Sequence, residues 1–296
     1  MNSRGVEIHL ALSRDEILAL PALHDHIQVQ SASLIRMFDH DTRLSAVFAT
    51  QQRWLMSHIG LSLYFRGIGD NPHAGLYLSD FLEAVQRHTV ASRNTADSYV
   101  KELLNYKYLS LIVDPKDKRL RPMRPAPQVI EIFGGWLQVH LASLDSLAGG
   151  HRLQTFQQNP TMVAALQPLI ADGLLAANAV RNPEKTFSLF TWLDNGGLVM
   201  DWLITNVERA PLDAERVRVG AFSVGEMSAR LNLSRTHLAR KLKEAEALGS
   251  IGWEGRRGHS DMWVSKGFRQ EYAGAQAIKL SIIDLACESV MGLQAD

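Results

Sequence analysis

Two clusters of hydrogen-bond donors are the residues of this sequence whose types and spacing could do chemistry. Each cluster begins with a Ser-Arg pair, at Ser92 and again at Ser234, and further polar side chains follow. Arginine and asparagine can form paired hydrogen bonds with guanine and adenine, while serine and threonine reach bases or phosphates. The chemistry that these clusters could do is recognition of double-stranded DNA. The candidate contacts are Ser92, Arg93, Asn94, Thr95, Ser98 and Lys101 in the first cluster, and Ser234, Arg235, Thr236, His237, Arg240 and Lys241 in the second.

A basic turn follows each cluster. The first, "DPKDKRLRP" from Asp114 to Pro122, comes after the strand-like run "YLSLIV", and the second is "EGRRGHS". A basic hairpin tip beside a DNA-contacting helix can follow the phosphates or enter a narrow minor groove, where the negative potential is high. The candidate contacts in these turns are Lys116, Lys118, Arg119 and Arg121, and Arg256, Arg257 and His259.

The distribution of charge favours the same interpretation. The chain has 31 Lys and Arg residues and 31 Asp and Glu residues, so its formal net charge is zero. Residues 86–124 nevertheless contain nine basic and four acidic residues, and residues 230–257 contain seven and three. Because phosphate neutralisation supplies most of the sequence-independent affinity for DNA, a local excess of positive charge is sufficient.

The elements that must position these clusters follow from the hydrophobic pattern. Residues 93–105 carry an apolar stripe at helical spacing, and a short helical segment precedes them. The strand-like run, the basic turn and "LRPM" predict a hairpin after this second helix, although Pro122 cannot donate to a strand ladder. Helix, turn, helix and hairpin together predict a winged helix. Ser79 is the predicted N-cap of the first helix.

The second half of the chain repeats this plan. Adding 142 to a residue number aligns Ser92 with Ser234, Val100 with Leu242 and Leu109 with Ile251. The sequence also predicts flanking helices: two before residue 66, the first with "SRDE" as a capping box, then Pro160–Val180 and Pro183–Val207, the latter capped by Asn182 and broken at "DNGG". Long closing helices are predicted after each hairpin, the second over about residues 267–290.

These elements predict a mainly α fold with small β-hairpins as wings. We expect two tandem winged helix-turn-helix units whose flanking helices form an intrachain pseudo-dimer. The first predicted domain, residues 1–150, comprises N-terminal helices, a winged helix at about 76–125 and a closing helix. The second, residues 151–296, comprises helices, a winged helix at about 220–265 and the last helix.

From Leu78 to Leu147 the sequence resembles the MarR-type winged-helix transcriptional regulators. The resemblance rests on the short helix, "VASRNTADSYVKELLNYKYLSLIVDPKDKR" and the long helix that follows. It implies that Arg119 reaches the minor groove and that Asp117 orients it. The family usually has a glycine after the recognition helix, where this sequence has Lys107. Family members are dimers, so the resemblance implies one chain that imitates a dimer, either alone or as a homodimer.

The family also binds small aromatic effectors between its helices and its winged domain. The corresponding candidate pocket in this sequence is formed by aromatic residues that could equally serve in ordinary core packing. They are Trp136, Phe187, Phe190, Trp192 and Trp202.

The remaining features argue against other classes of protein. "HDH" at 24–26 and "DHD" at 39–41 cannot direct all their side chains to one metal ion from a helix, and Cys287 lies in an apolar stripe. No catalytic motif, metal site or cofactor is expected, and the protein is not expected to be an enzyme. No long apolar run or leader is present, which predicts a cytoplasmic protein without a membrane partner. Two alternatives remain: an origin-binding protein like a replication initiator, and a winged-helix protein-interaction scaffold.

Overall fold

The structure is a computed structural model of a mainly helical chain with two small antiparallel sheets. It describes residues 11–40, 46–48, 50–70, 75–112, 121–183, 185–221 and 223–292. Within these residues no helix is long and apolar enough to cross a membrane. The helices and the two small antiparallel sheets of the described residues agree with the coarse prediction of a mainly helical fold with small hairpins.

In the described residues of the first half of the chain, six helices and two strands are present. They are α1 (Arg14–Ala19), α2 (Leu23–His40), α3 (Gln51–Asp70), α4 (Leu78–Arg87), α5 (Arg93–Asn105), β1 (Leu109–Leu111), β2 (Met123–Pro125) and α6 (Pro127–Ala148), with a 3₁₀ turn at Ala46–Phe48. The capping box at Ser13 is confirmed, because its side chain and that of Glu16 each accept the other's backbone N–H. The predicted cap at Ser79 is wrong: α4 begins at Leu78, and the Ser79 hydroxyl donates to Asp80 instead.

The second half, as far as the structure describes it, contains eight helices and three strands. They are α7 (Arg152–Gln158), α8 (Val163–Ala176), α9 (Asn178–Arg181), α10 (Lys185–Thr191), α11 (Gly196–Thr205), β3 (Arg216–Ala221), α12 (Val224–Arg230), α13 (Arg235–Ala247), β4 (Ile251–Trp253), β5 (Asp261–Ser265) and α14 (Lys266–Met291), with a 3₁₀ turn at Pro160–Met162. The break at "DNGG" is confirmed, since Asn195 adopts a left-handed conformation with φ of 53°. Asn182 is not an N-cap; it ends α9 and donates to Asn178.

The two segments with basic clusters have the same topology. In the first unit, Leu76 to Pro125, Leu76 pairs with Met123 of β2, and β2 pairs with β1. In the second unit, Arg216 to Ser265, β3 pairs with β5, and β5 pairs with β4. Each unit thus places two helices between its first strand and a hairpin whose last strand is central. The first strand of the second unit starts at Arg216, before the predicted boundary near residue 220.

The flanking helices pack reciprocally. Helix α3 packs on α8 while α2 packs on α11, and α2 packs on α6 while α8 packs on α14. Helix α1 contacts α14 and α7 contacts α6, so each short leading helix lies on the closing helix of the other half. The helices correspond in four sets: α1 with α7, α2 with α8, α3 with α11, and α6 with α14. When the members of each set are exchanged, every packing pair named above becomes another pair that is also present. The halves therefore interlock around one hydrophobic core.

A buried ion-pair cluster joins the two closing helices. The Arg152 guanidinium donates to Asp284 of α14 at 2.6 Å and to Asp145 of α6 at 3.2 Å. The same carboxylates accept backbone N–H groups: Asp145 from Arg152 and Leu153, and Asp284 from Leu12. Asp145 of α6 thus caps the start of α7, and Asp284 of α14 holds the backbone just before α1.

Candidate nucleic-acid interface and interior cavity

Helix α5 presents the first candidate surface. Its buried stripe, Ala96, Tyr99 and Val100, faces the core and leaves all six predicted contacts of the first cluster exposed. Ser92 caps the helix by accepting the N–H of Thr95 at 3.2 Å, and the two hydroxyls also lie 2.8 Å apart.

Helix α13 presents the second candidate surface in the same way. It has the same length as α5, and Ser234 caps it by accepting the N–H of His237. Leu238, Leu242 and Ala245 are buried, whereas the predicted contacts are exposed except for Lys241, which is half-buried. The residue that ends the following turn is left-handed in both units, with φ of 60° at Lys107 and 72° at Gly249.

The two basic hairpin turns differ in what the structure describes. Lys116, Asp117, Lys118 and Arg119 lie outside the described residues, and Arg121 is exposed just before β2. In the second unit Arg256, Arg257 and His259 are exposed between β4 and β5. Arg257 forms an ion pair with Glu246 of α13, and its guanidinium lies 5.6 Å from the centroid of the Trp253 ring. Glu246 therefore orients an arginine of the second hairpin turn, a contact that the sequence pattern did not reveal.

Several of the predicted basic contacts form ion pairs with acidic neighbours on the same helix. Lys101 pairs with Asp97 at 2.6 Å, and Arg240 and Lys241 share Glu244 at 3.8 and 2.8 Å. Among the predicted contacts that the structure describes, four arginines are exposed and have neither an ion pair nor a side-chain hydrogen bond, so their guanidinium groups are available to an external anion. They are Arg93, Arg121, Arg235 and Arg256.

An interior cavity of about 240 Å³ lies between the two halves. Trp136 and Phe187 of the predicted pocket line it, but the other three predicted residues do not. Phe190 is fully buried elsewhere, Trp192 is 54% exposed, and Trp202 is half-buried on α11. Sequence reasoning missed several polar and aromatic residues of the wall, which share helix faces with apolar residues that it had assigned to the core. They are Trp54, His58, Asp201, Tyr272, Gln276 and Lys279.

The cavity follows from unequal side chains at equivalent places. When the first residues of the closing helices, Pro127 and Lys266, are aligned, Asp145 falls on Asp284 and Trp136 falls on Ala275. One wall therefore carries a large ring where the other carries a methyl group, and both residues line the cavity. His140 likewise falls on Lys279.

Two neutral histidines lie beside this cavity. His58 and His140 are 2% and 0% exposed, and both pack on the Trp136 ring. Burial, together with the charge of Lys279, lowers the pKa of each histidine to about 3. His58 Nδ1 and His140 Nε2 have no hydrogen-bond partner within the described residues. Both rings are therefore neutral near neutral pH.

A carboxylate and an ammonium group also face the cavity. Burial raises the pKa of Asp201 to about 6, against the hydrogen bond that its carboxylate accepts from the Tyr272 hydroxyl. Burial lowers the pKa of Lys279, an effect that the charge of Asp201 partly opposes. Within the described residues the Lys279 ammonium makes neither an ion pair nor a hydrogen bond. The cavity is thus aromatic with a few polar groups at its wall.

The cavity wall is connected to both units. Ser57 lines the cavity and its hydroxyl lies 2.6 Å from the hydroxyl of Tyr99 on α5. Asn195, another wall residue, donates to the carbonyl of Leu231, in the turn between α12 and α13. A displacement of this wall would therefore reach a helix of the first unit and the turn of the second.

Comparison with known proteins adds no relative: no family model, no curated protein and no solved structure matches this chain. Among the described residues no group of three or more His, Cys, Asp or Glu side chains could hold a metal ion.

Proposed function

We propose that this protein is a sequence-specific, double-stranded DNA-binding transcriptional regulator. Each unit is a winged helix, with α5 and α13 as recognition helices in the major groove and the basic hairpins on phosphate or in the minor groove. The observation that carries the proposal is the equivalence of α5 and α13. Their caps, lengths, buried stripes and following turns correspond, and each starts with an exposed, unpaired arginine.

The reciprocal helix packing supports a pseudo-dimer. Two-fold dimers present their recognition helices about one helical turn of DNA (~34 Å) apart, so that each helix meets one half-site. The exchange of helix pairs between the halves gives one chain the same kind of internal symmetry. A single chain would then occupy a site of two half-sites, without a second copy.

The interior cavity supports an effector role. Its aromatic wall suits a small aromatic molecule, and the contacts Ser57–Tyr99 and Asn195–Leu231 join the same wall to both units. A ligand that prefers one separation of α5 and α13 would change the affinity for DNA by its difference in affinity for the two states.

A gel-shift experiment with genomic fragments tests DNA binding. We expect retained fragments at ~50 mM salt and a steep loss of affinity as salt rises, because each phosphate contact releases counterions. Arg235→Ala should weaken binding, and so should Arg256→Ala, since both arginines are exposed and lack ion pairs. Arg14→Ala is the matched control, because Arg14 lies on α1, outside both units, and pairs with Asp15.

The outcomes separate the candidate functions. Absence of binding at low salt, or equal binding by all three variants and the parent, would refute the proposal and leave the protein-interaction scaffold. Sequencing the retained fragments distinguishes promoter sites from clustered origin repeats, which a replication initiator would select.

A further inference from the structure

Arg269 is a buried arginine that lacks a counter-ion. It lies near the start of α14, is 6% exposed, and donates one hydrogen bond to the carbonyl of Ala214. Its Nε has no partner, and no carboxylate of the described residues lies within ion-pair distance of its guanidinium. The acid whose charge acts on it is Glu215, which is exposed and lies 3.9 Å from Lys266.

The environment of a second largely enclosed arginine, Arg152, is different. Arg152 has a similarly enclosed side chain but contacts two carboxylates, Asp145 and Asp284. A buried guanidinium without an anion is costly, because arginine keeps its proton at any ordinary pH and loses most of its hydration. The incomplete environment of Arg269 therefore calls for an anion from outside the chain.

Arg269 lines a cleft of about 560 Å³ that can hold such an anion. The cleft lies between α2, α14 and the segment that leads from α11 to β3. His24 and Arg209 also line it and can donate to the same anion, while Asp25 and Glu208 are exposed wall residues of opposite charge. The Gln28 amide is already used, since it donates to the carbonyls of Thr205 and Val207.

We propose that this cleft binds a small molecule through an oxyanion, a phosphate, sulfate or carboxylate group, which the Arg269 guanidinium holds. The planar guanidinium suits a hydrogen-bonded contact with such a group, Arg209 adds a second cation, and the His24 imidazole can donate a further hydrogen bond. The acidic residues restrict the ligand to one compact anionic group. A bound ligand would join α2 and α14 to the segment before β3, and would thereby fix the second unit against the helical body. The cleft shares one wall residue, Tyr272, with the interior cavity, and the proposed anion site does not depend on DNA binding.

Anion binding can be measured on the whole protein with inorganic probes. Sodium phosphate, sodium sulfate and sodium acetate are titrated against sodium chloride at constant ionic strength, with the midpoint of thermal unfolding as the readout. We expect a saturable rise for at least one oxyanion and none for chloride, because specific binding to the folded state raises the midpoint. Selective response to phosphate indicates a phosphorylated ligand, and selective response to acetate indicates a carboxylate. Equal, non-saturating responses to all four salts would overturn the proposal.

Variants locate the site. Ala210 is an exposed wall residue, so Ala210→Glu and Ala210→Gln form a pair of nearly equal shape that differs in charge. Glutamate should raise the dissociation constant of the effective probe by about tenfold or more through repulsion, and glutamine should leave it nearly unchanged. Arg269→Gln should abolish binding, with Arg256→Gln as the control for loss of a positive charge elsewhere. Equal binding by the Ala210 pair would refute the site, whether or not Arg269→Gln folds.

Discussion

Acidification should destabilise the folded protein through His58 and His140. Both side chains are buried and neutral, with a pKa lowered from 6.5 to about 3, so the unfolded chain binds protons more readily than the folded one. Stability is therefore fully present above the unfolded pKa of 6.5 and is lost as the pH falls from there towards 3. Lowering the pH from about 8 to about 5 should cost about 2 kcal/mol for each histidine.

Asp201 acts in the opposite direction. Its pKa is raised from 3.8 to about 6, so the folded state takes up a proton before the unfolded state does. Between about pH 8 and about pH 5 this uptake should return about 1 kcal/mol, which leaves a net loss of about 3 kcal/mol. The effect of the two histidines is therefore larger than that of Asp201, and acidification should destabilise the folded protein.

Urea unfolding at about pH 8 and about pH 5 measures this difference. The double variant His58→Leu/His140→Leu should lose much less stability on acidification than the parent, because only the smaller effects of groups such as Asp201, His24 and His88 remain. His237→Gln on the exposed face of α13 should behave like the parent. If the double variant loses as much stability as the parent, the buried histidines do not cause the acid sensitivity and the reasoning is wrong.

Two further predictions concern the backbone and the buried ion pairs. Lys107→Gly should stabilise the protein by about 1 kcal/mol and Gly249→Ala should destabilise it by about as much, because the backbone is left-handed at both positions. Urea unfolding measures both changes in stability, and changes of the same sign would contradict the argument. Arg152→Met should lower the free energy of unfolding by about 3 to 5 kcal/mol, because it leaves Asp145 and Asp284 unpaired. Arg66→Met removes a more exposed pair with Asp172 and should cost less than about 1 kcal/mol. Similar losses for the two variants in thermal or urea unfolding would refute the role of burial.

The sequence predicts the helices of the two units well because their signals are local. The apolar stripe of residues 93–105 and the serine before it set the bounds of α5, and the repeat transfers them to α13. The first strands were missed for the opposite reason. Leu76 is a single bridge residue, and β3 is defined by its pairing with β5, which lies about forty residues later in the chain.

The sequence predicted the residues of the interior cavity and of the Arg269 cleft less well than the helices. Trp136 and Phe187 were identified by residue type, but whether an aromatic residue lines a cavity depends on what the opposite helix offers, here Ala275. Arg269 gives no signal in sequence, because its burial and its lack of an ion pair arise from the segment around Ala214 that covers it. Tertiary packing, not local pattern, decides both features.

The equivalence of the two units extends to their backbones but not to their exposed side chains. Under the 142-residue repeat, Asn94, Thr95 and Ser98 of α5 occupy the places of Thr236, His237 and Arg240 of α13. Side chains with different donors and acceptors favour different base edges, whereas the shared Ser-Arg starts suit contacts that are common to both half-sites. Two identical chains would impose a palindromic site, but one chain with two unlike recognition helices does not. The proposed function therefore implies a DNA site made of two unlike half-sites, which one chain with two different units can recognise and a homodimer of identical units cannot.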